Sequence, residues 1–347
     1  MTTSKMNYKL LGRSGLRVSE LCLGTMTFGE EWGFGADKGE SQRQLELFAE
    51  AGGNFLDTAN KYTNGTSERF IGELIAKERE RWVVATKYTL TMREGDPNAS
   101  GNHRKNLVQA VNDSLRRLDM DYIDLLWVHA WDFTTPADEV MRALDDLIRL
   151  GKVLHIGVSD VPAWVVSQCN TLAELRGWSR FVALQIEYSL ISRTVERELL
   201  PMAEAFDLAV TPWGPIGGGV LTGKYTRDAD GEVDSKRAAN NQERRSEGNM
   251  NIARVVDSVA DELGASSTQV ALRWVQSRDQ QVIPIIGART AAQLEDSLGC
   301  VDIELSAEHL ARLDEVSRVP LGFPHEFVDK KAIREIVYGD QVDRIER

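Results

Sequence analysis

Long apolar runs are missing from this 347-residue chain. No stretch would cross a bilayer, so no membrane association is expected. The opening MTTSKMNYKL has no apolar segment after its charge. No secretory signal is therefore expected, and the protein reads as cytoplasmic. Cysteine is scarce: Cys22, Cys169 and Cys300 lie far apart, with neither disulfide nor zinc spacing. They read as buried thiols in a reducing compartment. The five histidines (His103, His129, His155, His309 and His325) form no HxH or HExxH pair. A zinc hydrolase is disfavoured and no metal is expected. Positive charge is also short, 41 Lys and Arg against 53 Asp and Glu, a net −12. Such a surface repels a phosphate backbone, so nucleic acid is not an expected partner. An anionic ligand needs a local positive site instead.

What is present is alternation. Short apolar segments recur as SELCLGTM, NFLDTA, WVVATKY, YIDLLWVHA, LHIGVS, FVALQIEYS, LAVTPWG and QVIPIIGA. Between most of them lie stretches with apolar residues at three- and four-residue steps, such as SQRQLELFAEAG, RKNLVQAVNDSLRRL and PADEVMRALDDLIRLG. These predict helices, often closed by glycine. Eight strands with intervening helices imply a parallel sheet with right-handed crossovers, and eight is the number that closes into a (β/α)8 TIM barrel. An open doubly wound sheet is the alternative, but no GxGxxG opens the first strand–helix turn as a dinucleotide-binding sheet of that kind requires. Barrels of this length form one unit, so residues 1–347 are expected to be a single domain without internal repeats. Around 225–249 the chain turns charged and loses its apolar periodicity. This predicts a loop, either solvated or a mobile cover over a ligand.

In such barrels the reactive side chains sit at the C-terminal ends of strands. Asp57 ends NFLD, Lys87 ends VVATK, His129 ends LLWVH, and Tyr62 follows five residues after Asp57. Each alone has a plainer reading: a helix cap, a surface charge, a satisfied core histidine, a packed ring. Together they make a proton donor. A free tyrosine, with pKa near ~10, is a poor acid at neutral pH. An adjacent lysine cation lowers that value, and a carboxylate keeps the lysine charged. A histidine N–H at the same point can bond a substrate carbonyl oxygen. Reduction of a carbonyl by hydride places negative charge on that oxygen, so a tuned O–H donor answers the need.

These residues lie in motifs that resemble a known family. GGNFLDTANKYTNGTSE is similar to the signature of the aldo-keto reductases, with Asp and Tyr followed by a Gly–x–Ser–Glu turn. KYT after VVAT, YIDLLWVHAWD and LHIGVSD match the family's third, fourth and fifth strand ends. The resemblance runs from GRSGLRVSELCLGTMTFG to GARTAAQLEDSLG. VHAWDFTT and GVSDVPAWVVSQ look most like the aryl-alcohol-dehydrogenase-like branch, related to the potassium-channel β subunits. The resemblance implies a catalytic tetrad of Asp57, Tyr62, Lys87 and His129, with Tyr62 as general acid, and NADPH/NADP+ as cofactor.

Further positions carry over in the same way. Ser159 and Gln185 are similar to the pair that hydrogen-bonds the nicotinamide carboxamide. Trp213, followed by Gly214 and Pro215, matches the aromatic residue that stacks on the nicotinamide ring. Thr25 and Met26 match the first-strand turn near the cofactor. In GGGVLTGKY, Gly218 to Lys224 satisfy seven positions of a P-loop, but Tyr225 cannot supply the magnesium-binding hydroxyl. The family's use of this loop is to cradle the pyrophosphate, here through Gly217, Gly219 and Lys224. In GARTAAQLED, Gly287 precedes Arg289 at a helix start, a local anion site for the adenosine 2′-phosphate, with Gln293 and Asp296 near the adenine. An arginine there favours NADPH over NADH.

Two positions depart from the family pattern. Asp160 stands where many relatives carry Asn, adding a negative charge beside the nicotinamide; GVSD also occurs in the branch that this chain most resembles. Thr63 replaces the glycine that usually follows the tyrosine. Phe28, Trp32 and Trp131 are expected to line the substrate pocket. The partner is a small-molecule carbonyl or alcohol, and the assembly is expected to be a monomer or weak homo-oligomer. Two functions stay open: a working carbonyl reductase, reversible as an alcohol dehydrogenase, and a cofactor-binding regulatory subunit. The complete tetrad and the absence of an N-terminal extension favour the first.

Overall fold

The computed structural model describes residues 5–227, 242–278 and 281–345. A hairpin opens it, β1 (Tyr8–Leu10) pairing antiparallel with β2 (Arg17–Ser19). Eight parallel strands follow: β3 (Cys22–Gly24), β4 (Phe55–Asp57), β5 (Val83–Tyr88), β6 (Ile123–Val128), β7 (Val153–Ser159), β8 (Phe181–Glu187), β9 (Ala209–Trp213) and β10 (Ile285–Gly287). Their spatial order is β10-β3-β4-β5-β6-β7-β8-β9. Just before β10 the ring closes onto β9. There Val210 N–H donates to Gln281 O at 3.0 Å, and Ile283 N–H donates to Val210 O at 2.8 Å. The sheet is thus a (β/α)8 barrel and not an open one.

Helices cover the outside. α1 (Lys38–Glu50) begins three residues before its apolar pattern, because Asp37 caps it by accepting from Glu40 N. α2 (Thr66–Ile75) leaves the β4 loop, and α3 (Arg104–Leu118) spans its predicted segment. α4 (Ala137–Arg149), α5 (Ala163–Arg176) and α6 (Leu199–Ala205) continue the alternation. α7 (Glu247–Leu263) and α8 (Ser267–Gln276) precede β10, and α9 (Ala291–Leu298) follows it. Of the loop expected around 225–249, residues 228–241 lie outside the described residues. Its last part is corrected: Ser246 accepts from Asn249 N, capping α7, so residues 247–249 are helical. A capped first turn needs no apolar residue, which is why the periodicity missed it.

The apolar residues form two sets. Most pack between the sheet and the helices. A smaller set fills the barrel interior, with Phe55, Val83, Ala85, Leu125 and Trp127 among its members. The hairpin plugs the lower end, where Leu11 and Val18 are fully buried in that interior set. Gly12 sits at φ +54°, and a Cβ there would lie 2.1 Å from Val182 O, so only glycine admits so close an approach. No helix among the described residues is long and apolar enough to cross a membrane. The three cysteines are free and buried.

Candidate active site

The strands' C-terminal ends bring a polar cluster to the upper mouth of the barrel. Lys87, on β5, has no exposed surface. Its ammonium donates to Asp57 Oδ2 at 2.5 Å, Thr58 O at 2.8 Å and Tyr62 Oη at 3.0 Å. All three of its donors are therefore engaged. Asp57, at the end of β4, uses its other oxygen to accept from Gln185 Nε2 at 2.9 Å. Burial alone lowers the Lys87 pKa, but Asp57 and Tyr62 outweigh it and the net direction is upward. The lysine is a cation in this site.

Tyr62 opens a tight 3-10 turn, Tyr62–Gly65. Its ring lies half-buried in the mouth, with Lys87 Nζ 4.6 Å from the centroid. Burial pushes its hydroxyl above the ordinary tyrosine value, Lys87 pulls it down, and Asp57 and Asp160 add to the rise. The net direction is upward, which corrects the lowering expected from the sequence, because burial outweighs the lysine. The turn is strained, since Thr63 and Asn64 sit at φ +44° and +54°. Glycine at position 63 would adopt this conformation freely; Thr63 holds it with two bonds. Its hydroxyl donates to Phe28 O at 2.6 Å and accepts from Ser67 N at 3.1 Å.

His129 follows β6, half-buried, its ring 6.1 Å from that of Tyr62 and nearly perpendicular to it. Burial first and the Lys87 charge second push its pKa down to about 3. The imidazole is neutral, and its buried Nδ1 has no hydrogen-bond partner.

Ser159 and Gln185 end up side by side on β7 and β8, both buried, and Ser159 Oγ has no hydrogen-bond partner. Trp213, half-buried at the end of β9, donates from Nε1 to Asp160 Oδ1 at 3.1 Å. Gly214 follows at φ +65°, then the buried Pro215. In the glycine-rich loop, Gly217 N–H and Gly219 N–H are bonded to Gly214 O and Ile216 O. As the loop stands, these two N–H groups are not free to meet an anion, which narrows the expected cradle. A Cβ at Gly219 would come within 2.8 Å of Lys224 Nζ, so the lysine lies across the loop where a side chain would have been.

Gly287 ends β10 beside Gly24 of β3 and is exposed. Arg289, half-buried, precedes α9, and its N–H donates to Gln293 Oε1 at 3.0 Å. Asp296 accepts from Gln269 Nε2 with its backbone oxygen at 3.0 Å and with Oδ1 at 3.3 Å. At the same helix start, Ala291 N–H donates to the Glu40 carboxylate.

Two expectations change. Phe28 is fully buried and exposes nothing to a pocket. It packs among the residues between sheet and helices and serves the site only through its carbonyl. Thr25 is also fully buried, its hydroxyl donating to Asp57 O at 3.0 Å and lying 2.9 Å from Ser67 Oγ. It braces the strand end and offers no hydroxyl to a ligand. Met26 is partly exposed at the rim. Trp32 stands at the mouth, 6.3 Å from Tyr62 edge-to-face, while Trp131 is half-buried against the outer packing.

Sequence reasoning missed the layer beneath the tetrad. Glu68, fully buried, accepts from Thr86 Oγ1 at 2.6 Å and from Arg117 Nε at 2.5 Å, and Ser67 Oγ lies 2.8 Å from Thr58 Oγ1. The only hint was the Ser–Glu of the GTSE turn. No group of three His, Cys, Asp or Glu side chains suited to a metal occurs among the described residues.

Residues 20–318 match the model of the Aldo/keto reductase family. The chain is 39% identical over 325 residues to a norsolorinic acid reductase of Emericella nidulans, covering 91% of this chain and 82% of that relative. It is 38% identical over 333 residues to an aryl-alcohol dehydrogenase [NADP(+)] of Phanerodontia chrysosporium, covering 90% and 86%. An aldo-keto reductase of Aspergillus calidoustus is 36% identical over 336 residues, covering 92% and 84%.

Proposed function

The chain belongs to the aldo/keto reductase family and is an oxidoreductase acting on carbonyl or alcohol groups, and from that premise we propose that it reduces an aldehyde or ketone with NADPH, taking the proton from Tyr62. The observation that carries this reading is the single Lys87 ammonium shared by Asp57, Thr58 O and Tyr62 Oη.

Each residue has a task that follows from its surroundings. The balance of burial against the lysine keeps Tyr62 protonated at neutral pH, as a general acid must be. When it gives up its proton to the substrate oxygen, the Lys87 cation stabilises the phenolate left behind. Asp57 holds the lysine in place and charged. His129, being neutral, has one N–H to offer the carbonyl oxygen as negative charge develops there.

The bound nicotinamide supplies the hydride. Several groups fit it. Ser159 Oγ, buried and without a partner, suits a carboxamide, with Gln185 beside it. Trp213 offers a half-exposed aromatic face. Lys224 over the side-chain-free Gly219 suits a diphosphate, and Arg289 at the start of α9 suits the 2′-phosphate that separates NADPH from NADH. The name of the aryl-alcohol dehydrogenase relative, which includes NADP(+), supports the same cofactor. Trp32 near Tyr62 supports a substrate with an aromatic or bulky group.

Tyr62→Phe keeps the ring and removes the O–H. The expected outcome is a fall in kcat of roughly 10²–10⁴-fold, with NADPH affinity nearly unchanged. Steady-state turnover of a simple aromatic aldehyde, followed by NADPH oxidation, measures the first, and direct titration the second. Retention of most of the activity overturns the assignment.

A further inference from the structure

Among the charged side chains nearest Tyr62 and Trp213, one stands without an ion-pair partner. Lys87 is matched by Asp57, Glu187 pairs with Arg244, and His129 is neutral. Asp160 has no such match, forming no ion pair among the described residues. Its carboxylate is held in place all the same. Trp213 Nε1 donates to Oδ1 at 3.1 Å, and the Asp160 N–H donates to Gln185 O at 3.3 Å. The backbone adopts φ +50°, a left-handed conformation that Asp and Asn tolerate better than other side chains. A carboxylate without an ion-pair partner is thus bonded directly to the indole of Trp213; burial and Glu187 raise its pKa, while the indole bond and the Lys87 charge favour its ionised form.

We propose that Asp160 makes the site prefer the oxidised over the reduced cofactor, and so biases the bound reaction toward the alcohol. The inference rests on the reading that the nicotinamide ring seats on Trp213. NADPH and NADP+ carry the same adenosine, diphosphate and 2′-phosphate. They differ at the ring, which is neutral when reduced and positively charged once its hydride has gone to the carbonyl carbon. The new C–H bond on the carbonyl carbon replaces the ring C–H that breaks, leaving the ring a cation. The new O–H bond replaces the Tyr62 O–H, leaving a phenolate that Lys87 holds until solvent returns its proton. A fixed carboxylate beside the ring stabilises that cation and leaves the neutral form almost untouched. Asn at this position accepts the indole hydrogen bond equally well but supplies no charge. Asp160 therefore combines the positioning of Trp213 with an electrostatic preference that Asn lacks.

Asp160→Asn separates the two, since it preserves an Oδ1 acceptor for Trp213 and tolerates the left-handed backbone. The full chain is titrated with NADP+ and NADPH separately by calorimetry, at fixed ionic strength and pH 8. Removing one unit charge at a partly solvated site is expected to weaken NADP+ binding roughly five- to twenty-fold while moving NADPH by less than about two-fold. Asp160→Ala, which also frees the indole, is expected to add a loss common to both forms. Equal weakening of both forms by Asp160→Asn, or no change in either, overturns the proposal. Should the wild type bind neither form, the reading of the site itself falls, and this inference with it. Should Tyr62→Phe behave as expected while Asp160→Asn leaves the NADP+/NADPH ratio unchanged, only the role of Asp160 falls.

Discussion

The same strand faces that fill the lower barrel with hydrocarbon carry the polar cluster at the upper mouth, two residues further on. On β5 the interior set includes Val83 and Ala85, and the next residue in step is Lys87. On β6 Leu125 and Trp127 are followed by His129, and on β8 Ala183 is followed by Gln185. On β4 Phe55 is followed by Asp57. Successive side chains on a strand alternate between faces, so each polar residue is stacked above an apolar one on the same side of the sheet. The lower layers stabilise the barrel by burial and ask little of geometry beyond volume. The upper layer works against that tendency: among the described residues, Lys87 is the one charged side chain of the largest fully buried ones. A cation there is tolerated only because three acceptors surround it, and one of them is the Tyr62 hydroxyl proposed as the proton donor.

The largest effect that tests this contrast comes from breaking the buried pair. Asp57→Ala leaves the Lys87 ammonium without its carboxylate, and losing one partner of a buried pair costs about 3–5 kcal/mol. Urea unfolding of the variant should register that loss, with turnover lost as well. Unchanged stability would mean that Lys87 sheds its proton when Asp57 is gone, and the upper layer would then be less demanding than the contacts imply. The lower layer predicts the opposite pattern. A Cβ on Gly157 would lie 2.3 Å from Trp127 Cζ3, and the ring is fully buried with nowhere to move. Gly157→Ala is expected to cost about 1–3 kcal/mol through overpacking, while turnover well below the melting temperature is largely kept. A stable but inactive Gly157→Ala protein would show that the two layers are not separable.

This layering explains what the sequence made legible. NFLD, VVATK and LLWVH each end an apolar strand with a charged or titratable residue, and that breach of pattern marked Asp57, Lys87 and His129 before any coordinates. The eight strands were visible for the complementary reason, since fully buried parallel strands read as unbroken apolar runs. Phe28 was misplaced because an aromatic residue near a mouth can face inward or outward. It faces inward, and its carbonyl accepts from Thr63, 35 residues along the chain, a contact that no local pattern shows. The hydroxyls of Thr25, Thr58 and Ser67 could not be read as supports, because short polar residues carry no periodicity. The bonding of Gly217 and Gly219 N–H groups within their own loop follows from left-handed glycine conformations that composition alone permits but does not dictate.

The smallest expected effect lies at the rim, where neither layer's packing is involved. A net charge of −12 disfavours every anion, and the 2′-phosphate gives NADPH more negative charge than NADH. Arg289 stands at the start of α9, whose amide groups add a partial positive charge. The Glu40 carboxylate, bonded to Ala291 N–H at the same helix end, works against both. Arg289 is also only half-buried, so solvent screens its contact. An Arg–phosphate contact sits at the low end of the charge-assisted range under these conditions, about 1.5 kcal/mol. Arg289→Ala should therefore weaken NADPH binding about ten-fold, leave NADH nearly as it was, and bring the two cofactors closer together. Titration of both cofactors at low and high salt checks this, since the wild-type preference should shrink as ionic strength rises. Equal weakening of both cofactors would make Arg289 a support for its loop and not a reader of the phosphate. A wild-type preference for NADH would remove the 2′-phosphate from this rim altogether.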